Sequence, residues 1–89
     1  SGNLLGSNLP SVNISSENVD KKINILELIL LSKLENSKSE IRRLLKGNAI
    51  KINDSTISDE KFIISQNLFK GNYLKLSIGK KRHIKVEIN

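Results

Sequence analysis

Hydrophobic residues recur at helical spacing in two consecutive segments, and this pattern predicts two helices. The first helix begins after Asn24, which is a good N-cap, and Glu27 completes the pattern of a capping box. Leucine and isoleucine fill most positions from 25 to 34, so the predicted helix is apolar around most of its circumference. Such a helix is expected to be buried in the core. A dimerisation helix is the less favoured alternative.

The second helix is expected to follow at once, with Ser37 as its N-cap and Glu40 as the partner in a second capping box. Gly47 stands where a residue in the left-handed conformation would end this helix. Three apolar residues recur at helical spacing and mark the side that should face the core. They are Ile41, Leu44 and Leu45.

The basic residues of the second helix lie on the opposite side. With Lys38 at zero, Arg42 falls at about 40°, Lys46 at about 80° and Arg43 at about 140° around the helix axis, and these four residues are called the basic stripe. Glu40 is the only acid on the helix, and the cap is expected to occupy it. Solvated helices usually interleave acids with bases, so a binding role is favoured over a merely solvated surface.

After the second helix the hydrophobic period changes to two, which predicts strands. Ile50 and Ile52 should face the core, Lys51 should face outward, and Asn53-Asp54 should form the tight turn of a short hairpin. Two longer alternating runs, YLKLSI and HIKVEI, predict a C-terminal hairpin. The GKKR turn between them carries three basic residues, called here the cationic turn. They are Lys80, Lys81 and Arg82.

The predicted fold class is α+β, with two N-terminal helices packed on a small antiparallel sheet. Residues 1–22 are rich in Gly, Ser and Asn and hold the only proline, so they are expected to form a linker or a partly ordered segment. Residues 23–89 are expected to form the domain itself. Residues 59–70 fit neither helix nor strand clearly, although four of their apolar residues should reach the core. These are Phe62, Ile63, Leu68 and Phe69.

The formal net charge of +6 is unevenly distributed along the 89 residues. Residues 33–51 sum to +4 and residues 70–89 to +5, whereas residues 1–32 sum to −1 and residues 52–69 to −2. If the fold joins the two basic blocks, they form one surface suited to a polyanion. The alternative is a basic surface that serves solubility alone.

Catalytic and metal chemistry find little support in the residues. There is no cysteine and only one histidine, His83, so a zinc site is excluded and no catalytic group is assigned. The acids Asp59 and Glu60 are expected to lie in a solvated loop. No apolar run is long enough to span a membrane, and a cytoplasmic location is expected.

Phosphate binding is the chemistry that the basic residues offer. Few aromatic residues are available to stack unpaired bases, which favours a structured RNA read by its backbone and shape; duplex DNA remains an alternative. Asn53 and the start of the second helix are expected to add neutral contacts. The predicted binding residues are Ser37, Lys38, Arg42, Arg43, Lys46, Lys51, Asn53, Lys80, Lys81 and Arg82.

The stretch SKSEIRRLLKGNAIKIN, residues 37–53, resembles the signature of the RNA-binding domain named after small-subunit ribosomal protein four, here the S-four-like domain. A capping box, a double arginine, a glycine and a short strand occur in the same order. Ile41, Asn48 and Asp54 depart from the usual alanine, glycine and turn glycine. The matching residues are Ser37, Lys38, Ser39, Glu40, Arg42, Arg43, Leu44, Gly47, Lys51, Ile52 and Asn53.

The ending YLKLSIGKKRHIKVEIN is similar to the C-terminal domain of bacterial tyrosyl-tRNA synthetases, and the resemblance covers about residues 9–89. It implies an alpha-L fold that grips tyrosine tRNA near the variable arm and the anticodon stem. It also implies a parent enzyme that ligates tyrosine to tRNA with ATP and magnesium and dimerises through its catalytic domain. This domain itself would be monomeric, without cofactor, metal or catalytic residue.

Two other functions remain open at this point. One is a stand-alone, ribosome-associated module that binds structured RNA. The other is a structural or dimerisation domain.

Overall fold

The computed structural model describes residues 9–89. Among them are three α-helices, one 3₁₀ helix and one five-stranded sheet. The helices are α1 (Ser16–Asp20), α2 (Ile25–Leu31) and α3 (Lys38–Lys46), and the 3₁₀ helix spans Gln66–Leu68. The strands are β1 (Ser11–Ile14), β2 (Ile50–Ile52), β3 (Ser55–Thr56), β4 (Tyr73–Ile78) and β5 (Arg82–Ile88). This α+β architecture confirms the predicted fold class.

Helix α2 begins with the predicted capping box. The Glu27 backbone N–H donates to Asn24 Oδ1 at 2.9 Å, and the Asn24 backbone N–H donates to Glu27 Oε1 at 3.1 Å. Ile25, Leu28 and Ile29 are fully buried, as expected of an apolar helix. Leu31 is the exception, because 51% of it is exposed.

Helix α3 has only half of the predicted capping box. Ser37 is the N-cap, and its Oγ accepts a hydrogen bond from the Glu40 backbone N–H at 3.4 Å. The Glu40 carboxylate does not return to the Ser37 backbone but binds the Arg43 guanidinium. On the opposite side, Ile41 and Leu45 are buried as predicted.

The end of α3 corrects the role predicted for Gly47. Gly47 has φ −84°, and the left-handed residue is Asn48, with φ 59°. The Ala49 N–H donates to the Leu44 carbonyl oxygen at 3.0 Å, and the Asn48 N–H donates to the Leu45 carbonyl oxygen at 3.1 Å. These two bonds define a Schellman motif. The helix therefore continues one residue further than the glycine suggested, because asparagine tolerates the left-handed conformation.

The sheet has the order β1-β5-β4-β2-β3. The β2–β3 and β4–β5 hairpins are present as predicted, and β2 pairs with β4 in the antiparallel sense. In addition, β1 pairs with β5 in parallel, with Val12 opposite Val86 and Ile14 opposite Ile88. The predicted strands thus form an antiparallel sheet, and β1 adds a parallel edge that makes the whole sheet mixed.

Strand β1 and helix α1 lie within residues 1–22, for which composition predicted a linker or a partly ordered segment. Ile14 is 2% exposed and Val19 is 7% exposed, and both belong to the main hydrophobic core. The four residues of β1 alternate correctly for an edge strand, but the surrounding Ser, Gly and Asn concealed this pattern. Residues 1–8 of that segment lie outside the described residues.

One hydrophobic core unites the helices and the sheet. Buried side chains of α2 and α3 share a cluster with the alternating apolar residues of β2, β4 and β5. The strand residues in this cluster are Ile50, Ile52, Leu74, Leu76, Ile78, Ile84 and Val86. Since successive side chains point to opposite faces of a sheet, Lys51 and His83 lie on the other face.

The segment that sequence left unassigned, residues 59–70, is mostly irregular. The Ile25 N–H donates to the Phe62 carbonyl oxygen at 2.8 Å, and the Ile64 N–H donates to the Ile23 carbonyl oxygen at 2.8 Å. This pairing turns Ile64 into the core and leaves Ile63 44% exposed. The expectation that Ile63 reaches the core was therefore wrong. Phe69 is buried, and Phe62 and Leu68 pack partly buried against the core.

Candidate nucleic-acid interface

The basic stripe projects from the exposed side of α3. Its four residues are exposed, whereas Ile41 and Leu45 on the same helix are buried. The separation follows from helical periodicity alone, because residues three and four positions apart share one side of a helix. It places Lys38, Arg42 and Arg43 where a large ligand can reach them.

The three predicted arginines each have a carboxylate partner. Arg42 Nε lies 3.0 Å from Glu60 Oε1, and Arg43 is bound to Glu40 three residues earlier. The hydrogen bond from Arg43 holds the pKa of the Glu40 carboxyl below its ordinary value, and the same bond raises the pKa of Arg43. The expectation that Glu40 serves the cap and leaves the stripe without acids was wrong.

Arg82 of the cationic turn is held by the connection between α2 and α3. Its Nη1 lies 2.8 Å from Glu35 Oε2, and its Nη2 donates to the Leu34 carbonyl oxygen at 2.8 Å. These bonds tie the cationic turn to the residues just before Ser37, where α3 begins. Arg82 therefore has a structural partner as well as an exposed position.

The predicted lysines differ from the arginines. Within residues 9–89, no carboxylate lies within 4.0 Å of the ammonium group of any of these five lysines. Their charge is available to a ligand without exchange of a protein partner. They are Lys38, Lys46, Lys51, Lys80 and Lys81, and all five are exposed.

The fold brings the two basic blocks of the sequence together. The Gly79 N–H at the start of the cationic turn donates to the Ala49 carbonyl oxygen at 2.7 Å, just beyond α3. Arg82 at the other side of the turn reaches Glu35, just before α3. The cationic turn thus contacts the chain on both sides of the helix that carries the basic stripe.

Asn53, one of the predicted binding residues, makes hydrogen bonds to the protein backbone with its side chain. Its Nδ2 donates to the Leu68 carbonyl oxygen at 2.8 Å, and its Oδ1 accepts from the Lys75 backbone N–H at 3.1 Å. It also adopts a left-handed conformation, with φ 51°, as does Asp54, with φ 72°. Asn53 therefore shapes the β2–β3 turn, and the neutral RNA contact predicted for it stays a prediction.

The site predicted from sequence omits two basic residues on the outer face of the sheet, Lys75 and Lys85. Lys75 Nζ lies 2.9 Å from Asp54 Oδ1, and this hydrogen bond holds the pKa of Asp54 below its ordinary value. Lys85 Nζ lies 4.9 Å from the centre of the Tyr73 ring, a cation–π distance. The alternation of β4 and β5 already placed these side chains opposite the core, but no charge pattern distinguished them from a solvated face.

Comparison with known sequences identifies the family. Residues 3–86 match the family described as the tyrosine–tRNA ligase SYY-like C-terminal domain. The chain belongs to this family. The match spans α3, β2, the cationic turn and most of β5, so all the predicted binding residues of this SYY-like C-terminal domain lie inside it.

The curated relatives of this SYY-like domain are longer proteins. It is 61% identical to a tyrosine–tRNA ligase of Pelagibacter ubique over 88 aligned residues. The alignment covers 99% of this chain and 22% of the relative. It is 46% identical to the enzyme of Rickettsia massiliae, over 91% of this chain and 20% of the relative. It is 40% identical to the Agrobacterium fabrum enzyme, over 92% of this chain and 20% of the relative. The chain thus spans about a fifth of the length of these relatives.

The described residues of the SYY-like domain show neither a membrane-spanning helix nor a metal-ligand cluster. In the part of the chain that the structure describes, every helix is too short or too polar to cross a bilayer. Residues 9–89 likewise contain no cluster of three or more His, Cys, Asp or Glu side chains placed to hold a metal ion.

Proposed function

We propose that this domain binds tyrosine tRNA for a longer protein whose catalytic domain ligates tyrosine to that tRNA. The observation that carries the proposal is the junction of the basic stripe with the cationic turn, through the Gly79–Ala49 hydrogen bond and the Arg82–Glu35 ion pair. Membership of the SYY-like family supports the choice of partner.

The basic stripe and the cationic turn act by holding phosphates of the RNA backbone. Lysine ammonium groups serve as movable point charges, and arginine guanidinium groups offer two parallel hydrogen bonds to one phosphate. Phosphate contacts fix the position of the RNA but carry no base code. Selectivity for tyrosine tRNA then comes from shape, and we place the domain against the variable arm and the anticodon stem.

The remaining properties of the whole protein are part of the same proposal. ATP and magnesium bind its catalytic domain, and that domain also forms the homodimer. This domain contributes no cofactor site or catalytic residue and is monomeric when separate. The site of action is the cytoplasm, where the tyrosine–tRNA ligases are expected to work.

The basic stripe is tested by Arg42→Ala combined with Arg43→Ala in the 89-residue chain. The double variant should lose most of its tRNA affinity and keep its fold, because both side chains are exposed. The slope of log affinity against log salt should fall by about 0.7–0.9 for each lost phosphate contact. Affinity measured at several salt concentrations gives both numbers.

The matched control is Lys21→Ala combined with Lys70→Ala, which removes the same charge from exposed positions outside the proposed surface. It should leave the affinity close to that of the wild type. Equal losses in the two double variants would mean that net charge alone drives binding. An unchanged affinity and slope in the arginine variant would refute the role of the stripe.

Selection from a mixture of cellular RNA separates the alternatives. Enrichment of tyrosine tRNA at moderate salt supports the proposal. Enrichment of ribosomal RNA instead supports a ribosome-associated module, and no retained RNA supports a structural or dimerisation domain with a solubilising basic surface.

A further inference from the structure

A surface pocket lies where the end of α3, strand β2 and the cationic turn meet. Gly47, Asn48 and Ala49 line one side, and Lys51 of β2 and Lys80 of the turn line others. Ser77 and His83 also line it, from the paired strands β4 and β5. This pocket, called here the junction pocket, joins the two basic blocks at the place where the Gly79–Ala49 bond holds them together.

The charge of the junction pocket is positive. Lys51 and Lys80 are exposed, and neither has a carboxylate within 4.0 Å among the described residues. Among the described residues, Asp54 is the only acid that lines the pocket. Its carboxylate is bound by Lys75 at 2.9 Å, so much of its charge is already neutralised. A pocket with two lysines and one compensated acid favours an anion.

The histidine in the junction pocket is held in one orientation by a buried serine. Ser77 is 3% exposed, and its Oγ lies 2.9 Å from His83 Nδ1. Which of the two groups donates in this hydrogen bond depends on the tautomer of the ring. When Ser77 donates to Nδ1 of the neutral ring, the ring hydrogen resides on Nε2. In that tautomer His83 offers its Nε2–H to a ligand.

We infer that the junction pocket is a phosphate-binding subsite of the RNA surface, in which Lys51, Lys80 and the Nε2–H of His83 hold one backbone phosphate. In this assignment Ser77 is a positioning residue, whose hydroxyl donates to Nδ1 and so holds the ring with its hydrogen on Nε2. The inference rests on the proposed function and deepens it. It adds His83 to the RNA-binding residues. It also assigns a phosphate to the pocket where the two basic blocks meet.

Two substitutions of His83 distinguish its two nitrogens. The amide of asparagine can replace Nδ1 as the acceptor for Ser77 but does not reach the position of Nε2. The longer side chain of glutamine can place an N–H donor near the position of Nε2. His83→Asn should weaken binding of tyrosine tRNA by about tenfold or more, as expected for a hydrogen bond to a charged group. His83→Gln should recover part of that loss.

The ring of His83 also reports binding directly, without a substitution. It is the only histidine in the chain, so its ring signals in a nitrogen–proton NMR spectrum are assigned at once. Addition of tyrosine tRNA transcript should shift the Nε2 signal while Nδ1 keeps the signature of a hydrogen-bond acceptor. Ser77→Ala should broaden or move the Nδ1 signal and weaken binding less than His83→Asn does.

The outcomes separate this inference from the proposed function. If the wild-type chain binds tyrosine tRNA, and Arg42→Ala with Arg43→Ala weakens that binding, the proposed role of the basic stripe is supported. Unchanged affinity in His83→Asn, together with an unmoved Nε2 signal, would then overturn the subsite alone. Failure of the wild-type chain to bind tRNA would overturn both. Thermal unfolding of each variant distinguishes a lost contact from a lost fold, and the wild-type ring signals decide the matter if His83→Asn unfolds.

Discussion

Arginine and lysine occupy different situations on this surface. Arg42, Arg43 and Arg82 each face a carboxylate, whereas the predicted lysines have no such partner among residues 9–89. A phosphate that binds an arginine here must displace or share its carboxylate, while a phosphate that binds a lysine displaces only water. Exposed ion pairs contribute little to stability, about 0–1 kcal/mol, so such an exchange is inexpensive. The carboxylates repel an anion that does not bind the arginines directly. They therefore favour a ligand whose shape places its phosphates on the arginines.

Glu40→Gln tests this view of the arginines. Removal of the carboxylate frees Arg43 and makes the net charge of the basic stripe one unit more positive, so RNA affinity should rise about two- to fivefold. The preference for tyrosine tRNA over other tRNAs should fall. Binding assays with both kinds of RNA at one salt concentration measure the two effects.

Glu17→Gln is the control for Glu40→Gln, because it makes the same charge change at an exposed position of α1. It should raise the affinity less than Glu40→Gln and leave the preference unchanged. If both variants raise affinity equally, the effect is one of net charge, and the carboxylate of Glu40 does not restrain Arg43.

At the residue scale, sequence predicted which side chains are exposed but not how they are paired. The stripe follows from helical spacing, and the lysines of the turn follow from the hairpin pattern. The partner of Arg42 is 18 residues away and that of Arg82 is 47 residues away. Those pairs depend on tertiary structure. The same holds for His83, whose link to Ser77 depends on the register between β4 and β5.

At the element scale, all three described α-helices end in the same way, without glycine in the left-handed position. That position is held by Lys22 after α1, Lys33 after α2 and Asn48 after α3, with φ values of 63°, 60° and 59°. In each case the following backbone N–H reaches back to a carbonyl of the helix, at 3.0–3.2 Å. Sequence signals for helix ends rely on glycine, so the glycine at 47 misplaced the end of α3 by one residue.

Substitutions at the end of α3 test which residue is left-handed. Asn48→Ala should lower the free energy of unfolding by about 1 kcal/mol, because alanine resists the left-handed conformation. Gly47→Ala should leave it unchanged or raise it by about 0.4–1 kcal/mol, because the site is compatible with a side chain. At Gly47 an added Cβ would lie 3.4 Å from the Arg43 carbonyl oxygen, an ordinary contact distance. Chemical denaturation of the two variants measures both values.

The opposite order of stability would show that Gly47, and not Asn48, is the left-handed residue that ends α3. Asn48→Gly serves as the control, because glycine adopts the left-handed conformation without steric cost. It should be at least as stable as the wild type. A destabilised Asn48→Gly would show that the asparagine side chain, rather than the backbone, is needed at this position.

At the scale of the whole molecule, the sheet order explains how two separate basic blocks form one surface. Strand β4 pairs with both β2 and β5, so the turn after β4 comes to lie against the residues that follow α3. The hydrophobic pattern predicted β2, β4 and β5, and the Asn53-Asp54 turn predicted the hairpin that contains β3. It did not predict that β4 lies between β2 and β5, nor that β1 joins the far edge, because strand order is set by packing of the complete chain.

The boundary of the domain is the last point to test. Composition places the start of the domain at residue 23, but Ile14 and Val19 are buried in the core and β1 covers the edge of β5. Burial of two such side chains contributes about 1.5–3 kcal/mol each, which is comparable with the whole stability of a small domain, about 5 kcal/mol at the low end. A chain that begins at residue 23 should therefore be largely unfolded at room temperature.

Urea denaturation of chains that cover residues 9–89 and 23–89 decides between the two boundaries. Ile14→Ala in the longer chain removes only one of the buried contacts of β1. As a large-to-small change in the core, it should lower the free energy of unfolding by about 2–5 kcal/mol. Equal midpoints for the two chains would place the boundary at residue 23 and make β1 an accessory strand. A shorter chain that unfolds but regains structure with bound tRNA would show that β1 stabilises the RNA surface without forming part of it.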